Sequence, residues 1–303
     1  MELGILVLKQ TILMFLLMAV GYVVYRKKII SDSGAGELGK LLVNLAIPAV
    51  ILNSCLTDYQ AERFRNLCIA AVLSLLSLVL SMVICQILYG NRHRLNNFGN
   101  AFSNAGFIGI PLVSAVLGEE AVFYVSAYVA FLNILQQTYG IWVITGSGES
   151  IRPKKVMRNP VLLAFILGML LYVLPIPIPA LVSSAVSYVA GLNTPLAMMI
   201  LGIYLAQSSL KDVLCTAELY AASAVRLLLI PAITMAVLTI LPVSTLIKMT
   251  VLIAAAAPVG ANVAIFAQLY GQDYTYGAKL VCNSTILSIV TMPVLVAVAS
   301  MIW

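Results

Sequence analysis

Apolar stretches of roughly twenty residues follow one another along the whole chain, and they restrict its fold more than any motif does. They fall near 3–25, 37–56, 67–90, 98–117, 121–144, 160–175, 182–206, 218–241, 245–270 and 275–302. Inside hydrocarbon no water can satisfy an open backbone, so such stretches must cross as helices. Only 9% of the 303 residues are charged and 62% are hydrophobic, which excludes a water-soluble globular domain. The expected class is an all-α integral membrane protein with ten transmembrane helices. The first stretch opens on Glu2 rather than on a basic leader, and it is too long for a signal core. Cys55, Cys68, Cys85, Cys215 and Cys282 lack metal-ligand spacing and read as thiols in apolar surroundings; no metal site is expected.

The two halves of the chain repeat each other. Pro48 maps onto Pro195, Gly21 onto Gly168, Tyr25 onto Tyr172 and Pro111 onto Pro258, all at an offset of 147 residues. The expected organisation is a five-span repeat over 1–144, a linker over 145–159 and a second five-span repeat over 160–303. Loops after odd-numbered spans carry Arg26, Lys27, Lys28, Arg92, Arg94, Arg152, Lys154, Lys155, Arg158 and Lys211; loops after even-numbered spans carry Arg63 and Arg65 only. The positive-inside rule then puts the odd loops in the cytoplasm and both termini outside. Five is odd, so the second repeat enters the membrane upside down, an arrangement that suits alternating access.

Pro111 and Pro258 interrupt apolar runs at matching places. A proline removes a helix hydrogen bond and crowds the preceding turn. Paired, interrupted spans point to a transporter's binding site. The expectation is that spans four and nine break within a few residues of these prolines. Each break offers a helix N-terminus with a partial positive charge of about +0.5 e, which attracts a carboxylate without a lysine. Asn104 and Asn262 flank the two prolines and are read as substrate ligands, with Gln268 beside them. Asn133 and Asn283, at similar places in spans five and ten, are candidates balanced between binding and helix–helix bonding. Their neighbours Gln136, Gln137, Ser284 and Thr285 read as helix–helix bonders. Asn44 and Asn193 precede bends at Pro48 and Pro195 in spans two and seven, and are read either as neighbours of those bends or as further substrate ligands. Arg226, about two turns into span eight, reads either as a snorkelling residue or as a carbonyl cap or anion attractor in an inner vestibule.

Four motifs, in order, resemble the auxin efflux carrier family: Asn104-Ala-Gly-Phe-Ile-Gly-Ile-Pro111, Arg158-Asn159-Pro160, Ala224-Val-Arg226-Leu-Leu-Leu-Ile-Pro231, and Ala257-Pro258-Val-Gly-Ala-Asn262 through Gln268 to Tyr270. The likeness covers essentially the whole chain. The short loop Thr145–Arg158 resembles prokaryotic, malonate-transporter-like members rather than the plant carriers, which carry a long insert there. The resemblance implies a fold like that of bile-acid sodium symporters, with broken helices four and nine crossing at mid-membrane. It implies a scaffold of spans 1, 2, 6 and 7, a core of spans 3–5 and 8–10, an elevator mechanism and a homodimer.

The function expected is therefore secondary transport of a small organic anion, a carboxylate, across the plasma (inner) membrane. An anion channel of the same fold is the alternative. The midplane of the spans lacks Asp, Glu and His, which excludes an intramembrane acid–base enzyme and leaves a proton relay unsupported. Coupling to sodium through amides, hydroxyls and carbonyls stays open, as does uncoupled transport. The positive charge sits in membrane-flanking loops and does not read as a nucleic-acid surface.

Overall fold

The computed structural model describes residues 2–148, 151–174 and 176–303. Glu149 and Ser150 of the expected linker, and Pro175 at the expected end of the sixth span, lie outside the described residues. What is described is helical, apart from loops and one isolated antiparallel bridge. The helices join into runs that we number α1 (Glu2–Arg26), α2 (Asp32–Cys55) and α3 (Ala61–Tyr89). Next come α4, in two halves (Arg94–Ala101 and Ala105–Leu117), and α5 (Glu119–Leu135, running on through Gln136–Gly140 and Ile141–Thr145). The second part of the chain adds α6 (Pro160–Val173), α7 (Ala180–Gln207) and α8 (Ala217–Ile240). It ends with α9, again in two halves (Thr245–Ala256 and Asn262–Leu269), and α10 (Tyr274–Ile302).

Among the described residues, six runs are long and apolar enough to cross a membrane: α1, α2, α3, α7, α8 and α10. The second half of α4, the whole of α6 and the first half of α9 are shorter apolar helices. Their outer surfaces suit lipid: Leu16 is 64%, Val72 66%, Ile240 83% and Val290 65% exposed. Contiguous apolar exposure on that scale is untenable in water and normal against acyl chains. Several helices start before their apolar stretch does. α2 begins at Asp32, where Ser31 caps it by accepting from Gly34 N at 3.2 Å, and α3 begins at Ala61. Hydropathy marks only the apolar middle, whereas backbone hydrogen bonding carries the helix on into polar turns.

The prolines act differently from expectation. Three Ile-Pro pairs, Ile47-Pro48, Ile110-Pro111 and Ile230-Pro231, each follow a single π-helical turn. In each the isoleucine amide reaches five residues back, to Leu42, Ala105 and Val225. The wider turn makes room for the ring that would otherwise strike the carbonyl four residues back. Pro111 therefore bends a continuous helix and does not break it. The break in α4 lies seven residues earlier, ending at Asn104 (111 − 104 = 7). In α9 the break does contain Pro258.

Three close contacts join α1 to α7 and α2 to α6. A methyl at Gly21 of α1 would collide with the Met199 carbonyl of α7, and one at Gly202 of α7 would collide with the Met18 carbonyl of α1. A methyl at Gly168 of α6 would meet Cys55 Sγ of α2 at 2.8 Å. Only glycine lets the backbones of α1 and α7 touch and leaves room on α6 for the Cys55 side chain, as small residues do in membrane helix pairs. Gly21 and Gly168, 147 residues apart, each sit at a close contact between two helices.

Candidate functional site

The two broken helices meet at their breaks. Ser103 and Val259 form the isolated bridge, with Asn104 N donating to Pro258 O at 2.8 Å and Gly260 N donating to Phe102 O at 3.1 Å. Extended peptides expose groups that a helix would have satisfied, and here each break satisfies the other. A methyl at Gly260 would stand 3.2 Å from Phe102 O, so the crossing strands approach as closely as glycine allows. Flanking helices brace both strands: Ser103 Oγ lies 3.3 Å from Tyr128 Oη of α5, and Val259 N donates to Ser284 Oγ of α10 at 3.1 Å. These pairs obey one arithmetic, since 259 − 103 = 156 and 284 − 128 = 156. The expected offset of 147 residues therefore does not describe the crossing, where matching residues stand 156 apart. The segment between α7 and α8, which holds the extra helix Leu210–Cys215, is longer than the one between α2 and α3. Pro111 and Pro258 are accordingly not equivalent positions.

The crossing has two electrically different sides. Toward one, the second halves of α4 and α9 present their N-termini, at Ala105 and Asn262. The first-turn amides there have no intrahelical acceptor, and the helix dipoles leave each end partly positive. Asn104 is the flanking residue of α4's second half, 4% exposed, and its side chain caps nothing. Its Nδ2 is enclosed without a hydrogen-bond partner. Asn262 Nδ2 donates to Gln136 Oε1 of α5 at 2.8 Å, and both Asn262 and Gly106 keep partial exposure.

On the other side the first halves of α4 and α9 present their C-termini, and Arg226 stands between them. Its Nε donates to Ala257 O at 3.0 Å, one terminal nitrogen donates to Asn100 O at 2.8 Å, and the other donates to Ala255 O. The side chain is 0% exposed. The vestibule and snorkelling readings of Arg226 are therefore corrected. It is a carbonyl cap at the crossing, and the π turn Val225–Leu229 carries it there.

The remaining candidates scatter. Gln268 is exposed on the last turn of α9, about 9 Å along the helix from Asn262 at 1.5 Å per residue, and does not join the crossing. Asn44 is exposed and bonds its own helix, donating to Lys40 O at 2.9 Å. Asn133 donates to Val129 O at 2.9 Å and accepts from Asn159, the cap of α6, at 3.3 Å. Asn283 accepts from Ser223 at 2.7 Å and donates to Val213 O at 2.9 Å, so it ties α10 to α8 and to the extra helix. Asn133 and Asn283 lie 150 residues apart and do not share the 156-residue equivalence. Asn193 sits just past a one-residue interruption of α7 at Leu192, 2% exposed, with Oδ1 unpartnered, and α7 packs against the second half of α4. Gln136 and Ser284, read from sequence as helix–helix bonders, reach the crossing instead. Asn96, Asn97 and Asn100 went unread. Their i, i+1, i+4 spacing inside an apolar span was the available signal. Asn97 binds Gln86, Asn100 binds Tyr89, and Asn96 links Tyr276 to Glu218. A cavity of about 420 Å³, lined by Arg92, His93, Arg94, Glu218 and Asp273 among others, opens near the start of α4, roughly 12 Å along the helix from the crossing. Its charges are mixed in sign, and it is not the crossing.

A chain built of membrane-length helices around two interrupted ones is a multi-pass membrane protein of the transport class. Residues 6–296 match the family model described as membrane transport protein, and the chain belongs to that family, the auxin efflux carrier family that its motifs resemble. Its relatives are transporters rather than enzymes. It is 25% identical over 296 residues to a protein of Methanothermobacter thermautotrophicus named "Uncharacterized transporter", covering 94% of this chain and 96% of the relative. It is 23% identical over 293 residues to a Rhizobium meliloti protein named "Putative malonate transporter", covering 92% and 91%.

Proposed function

We propose that this protein is a secondary transporter of a small carboxylate, bound where the N-termini of the second halves of α4 and α9 meet. One observation carries the reading: Asn104 Nδ2, a buried donor without a partner, stands beside two helix N-termini at one crossing. An unpaired buried donor costs about 1–3 kcal/mol, and an anionic oxygen satisfies it. Two N-termini add about +0.5 e each in a site of low dielectric. The relative's malonate assignment supports a carboxylate cargo.

In this reading the chain crosses the inner membrane ten times as two inverted five-helix repeats, over 1–144 and 160–303, in a fold like that of bile-acid sodium symporters. Both termini face outside. α3–α5 and α8–α10 form the moving core; α1, α2, α6 and α7 form the scaffold and the homodimer contact. The paired glycine contacts and the 156-residue equivalence of the two breaks support the repeat. Transport is of the elevator type, the crossing moving as a unit past the scaffold, where Asn193 offers a buried acceptor for a protonated or hydrogen-bonding group of the cargo.

The test is a binding titration on purified protein with mono- and dicarboxylates, malonate included. Saturable binding, competed among carboxylates and weakened in Asn104→Leu, is expected. No carboxylate binding to the unaltered protein overturns the reading.

A further inference from the structure

Half-helix C-termini and unwound carbonyls are where transporters with broken helices coordinate a cation such as sodium. At this crossing three of those carbonyls are taken. Asn100 O, at the end of α4's first half, and Ala255 O and Ala257 O, at the end of α9's, all accept from one guanidinium. The two helix ends carry about −0.5 e each, so together they balance a single positive charge. Among the described residues the ion pairs are Arg65–Glu62 and Lys279–Asp212, and neither brings a carboxylate to Arg226. A buried charge needs full compensation, and here backbone dipoles supply it. At the 156-residue offset Arg226 corresponds to Ala70, so one arginine serves both breaks. Guanidinium suits the place: its planar fork reaches carbonyls on two different helices at once and stays protonated.

The geometry points to Arg226 as a built-in cation: its guanidinium occupies the carbonyl cage at the crossing, so this transporter assembles its anion site and carries its cargo without sodium. The inference rests on the crossing being the transport site, and it assigns Arg226 a positioning role, behind the bound anion. The fixed charge also adds long-range attraction for an anion on the N-terminal side.

The experiment uses full-length protein in detergent and in liposomes. Thermal unfolding and carboxylate titration are run in sodium chloride and in N-methyl-D-glucamine chloride at equal ionic strength. Unaltered protein is expected to show the same unfolding midpoint and the same affinity, within about twofold, in both salts. Arg226→Ala should unfold earlier and bind carboxylate at least about tenfold more weakly. Low-millimolar methylguanidinium should restore part of both, with urea as the control for denaturant effects. Arg226→Lys, which keeps the charge, should stay closer to the parent than Arg226→Met, which keeps the length; this pair decides the matter if the alanine variant does not fold. A sodium-dependent midpoint or affinity in the unaltered protein overturns the inference, and so does equal behaviour of the lysine and methionine variants. If the unaltered protein binds no carboxylate in either salt, the transport reading fails, while the midpoints still report on Arg226.

Discussion

Replacing Asn104 with leucine separates a binding residue from a structural one, because the structure gives opposite signs for the two effects. The backbone of Asn104 does the structural work: its N–H donates to Pro258 O at 2.8 Å, and its carbonyl accepts from Ile108 N at 3.0 Å. Leucine keeps both. The side chain makes no cap bond, so the usual capping loss of about 0.5–2 kcal/mol does not arise. Its Nδ2 is buried and unpartnered, so removal relieves a desolvation cost and leaves no neighbour stranded. Leucine keeps asparagine's number of side-chain heavy atoms and its branch at Cγ, but its methyl groups are bulkier, so some overpacking offsets that relief at a residue 4% exposed. The unfolding midpoint without ligand should hold or rise, staying within about 3 °C, roughly the shift that 1 kcal/mol produces in a domain of a few hundred residues. Carboxylate affinity should fall by about 1.5–3 kcal/mol, or about 10- to 150-fold, the worth of a hydrogen bond to a charged group. Differential scanning fluorimetry, with and without a carboxylate, reads both quantities on one sample. A variant that unfolds early but binds as before would refute the reasoning, because Asn104 would then be a scaffold residue.

Other positions follow from their partners. Asn262→Leu should weaken binding and also lower stability by about 1 kcal/mol, because Gln136 loses its partner at 2.8 Å; a thermal melt beside the Asn104 variant checks this. Asn283→Ala should destabilise by about 1–3 kcal/mol with affinity unchanged, since Ser223 and the Val213 carbonyl are left unpaired. Gly202→Val should destabilise by more than about 3 kcal/mol or prevent folding, because its side chain enters the backbone of α1; yield and monodispersity on a sizing column report it. A cysteine at Met157, 71% exposed in the basic loop, should resist a membrane-impermeant thiol reagent in intact cells and react after lysis; labelling from outside reverses the orientation.

Sequence alone carried the helical class, the approximate positions of the spans and the interruption of spans four and nine, because long apolar runs and paired irregularities are local properties. It misplaced the first break. Pro111 is conspicuous, but an Ile-Pro pair after a π turn continues a helix, and Phe102–Asn104 has no residue that forbids one. The tertiary pairing of Ser103 with Val259 opens the chain there, and pairing across 156 residues is invisible to a local reading. Arg226 shows the same limit. Its type and depth left snorkelling, carbonyl capping and a vestibule role open, and its three acceptors, on α4 and α9, come from stretches distant in sequence. Gln136 and Ser284 resembled ordinary helix–helix bonders until folding brought them to the breaks.

Counterflow in proteoliposomes tests carriage through the crossing most directly. Liposomes holding reconstituted protein are loaded with unlabelled carboxylate, malonate first and then other mono- and dicarboxylates, and uptake of labelled carboxylate is followed against empty-loaded controls. Saturable uptake that internal substrate accelerates, and that Asn104→Leu abolishes, is the expected result. Flux that rises linearly with concentration, shows no acceleration by internal substrate and survives Asn104→Leu would contradict it and mark a conducting pore instead.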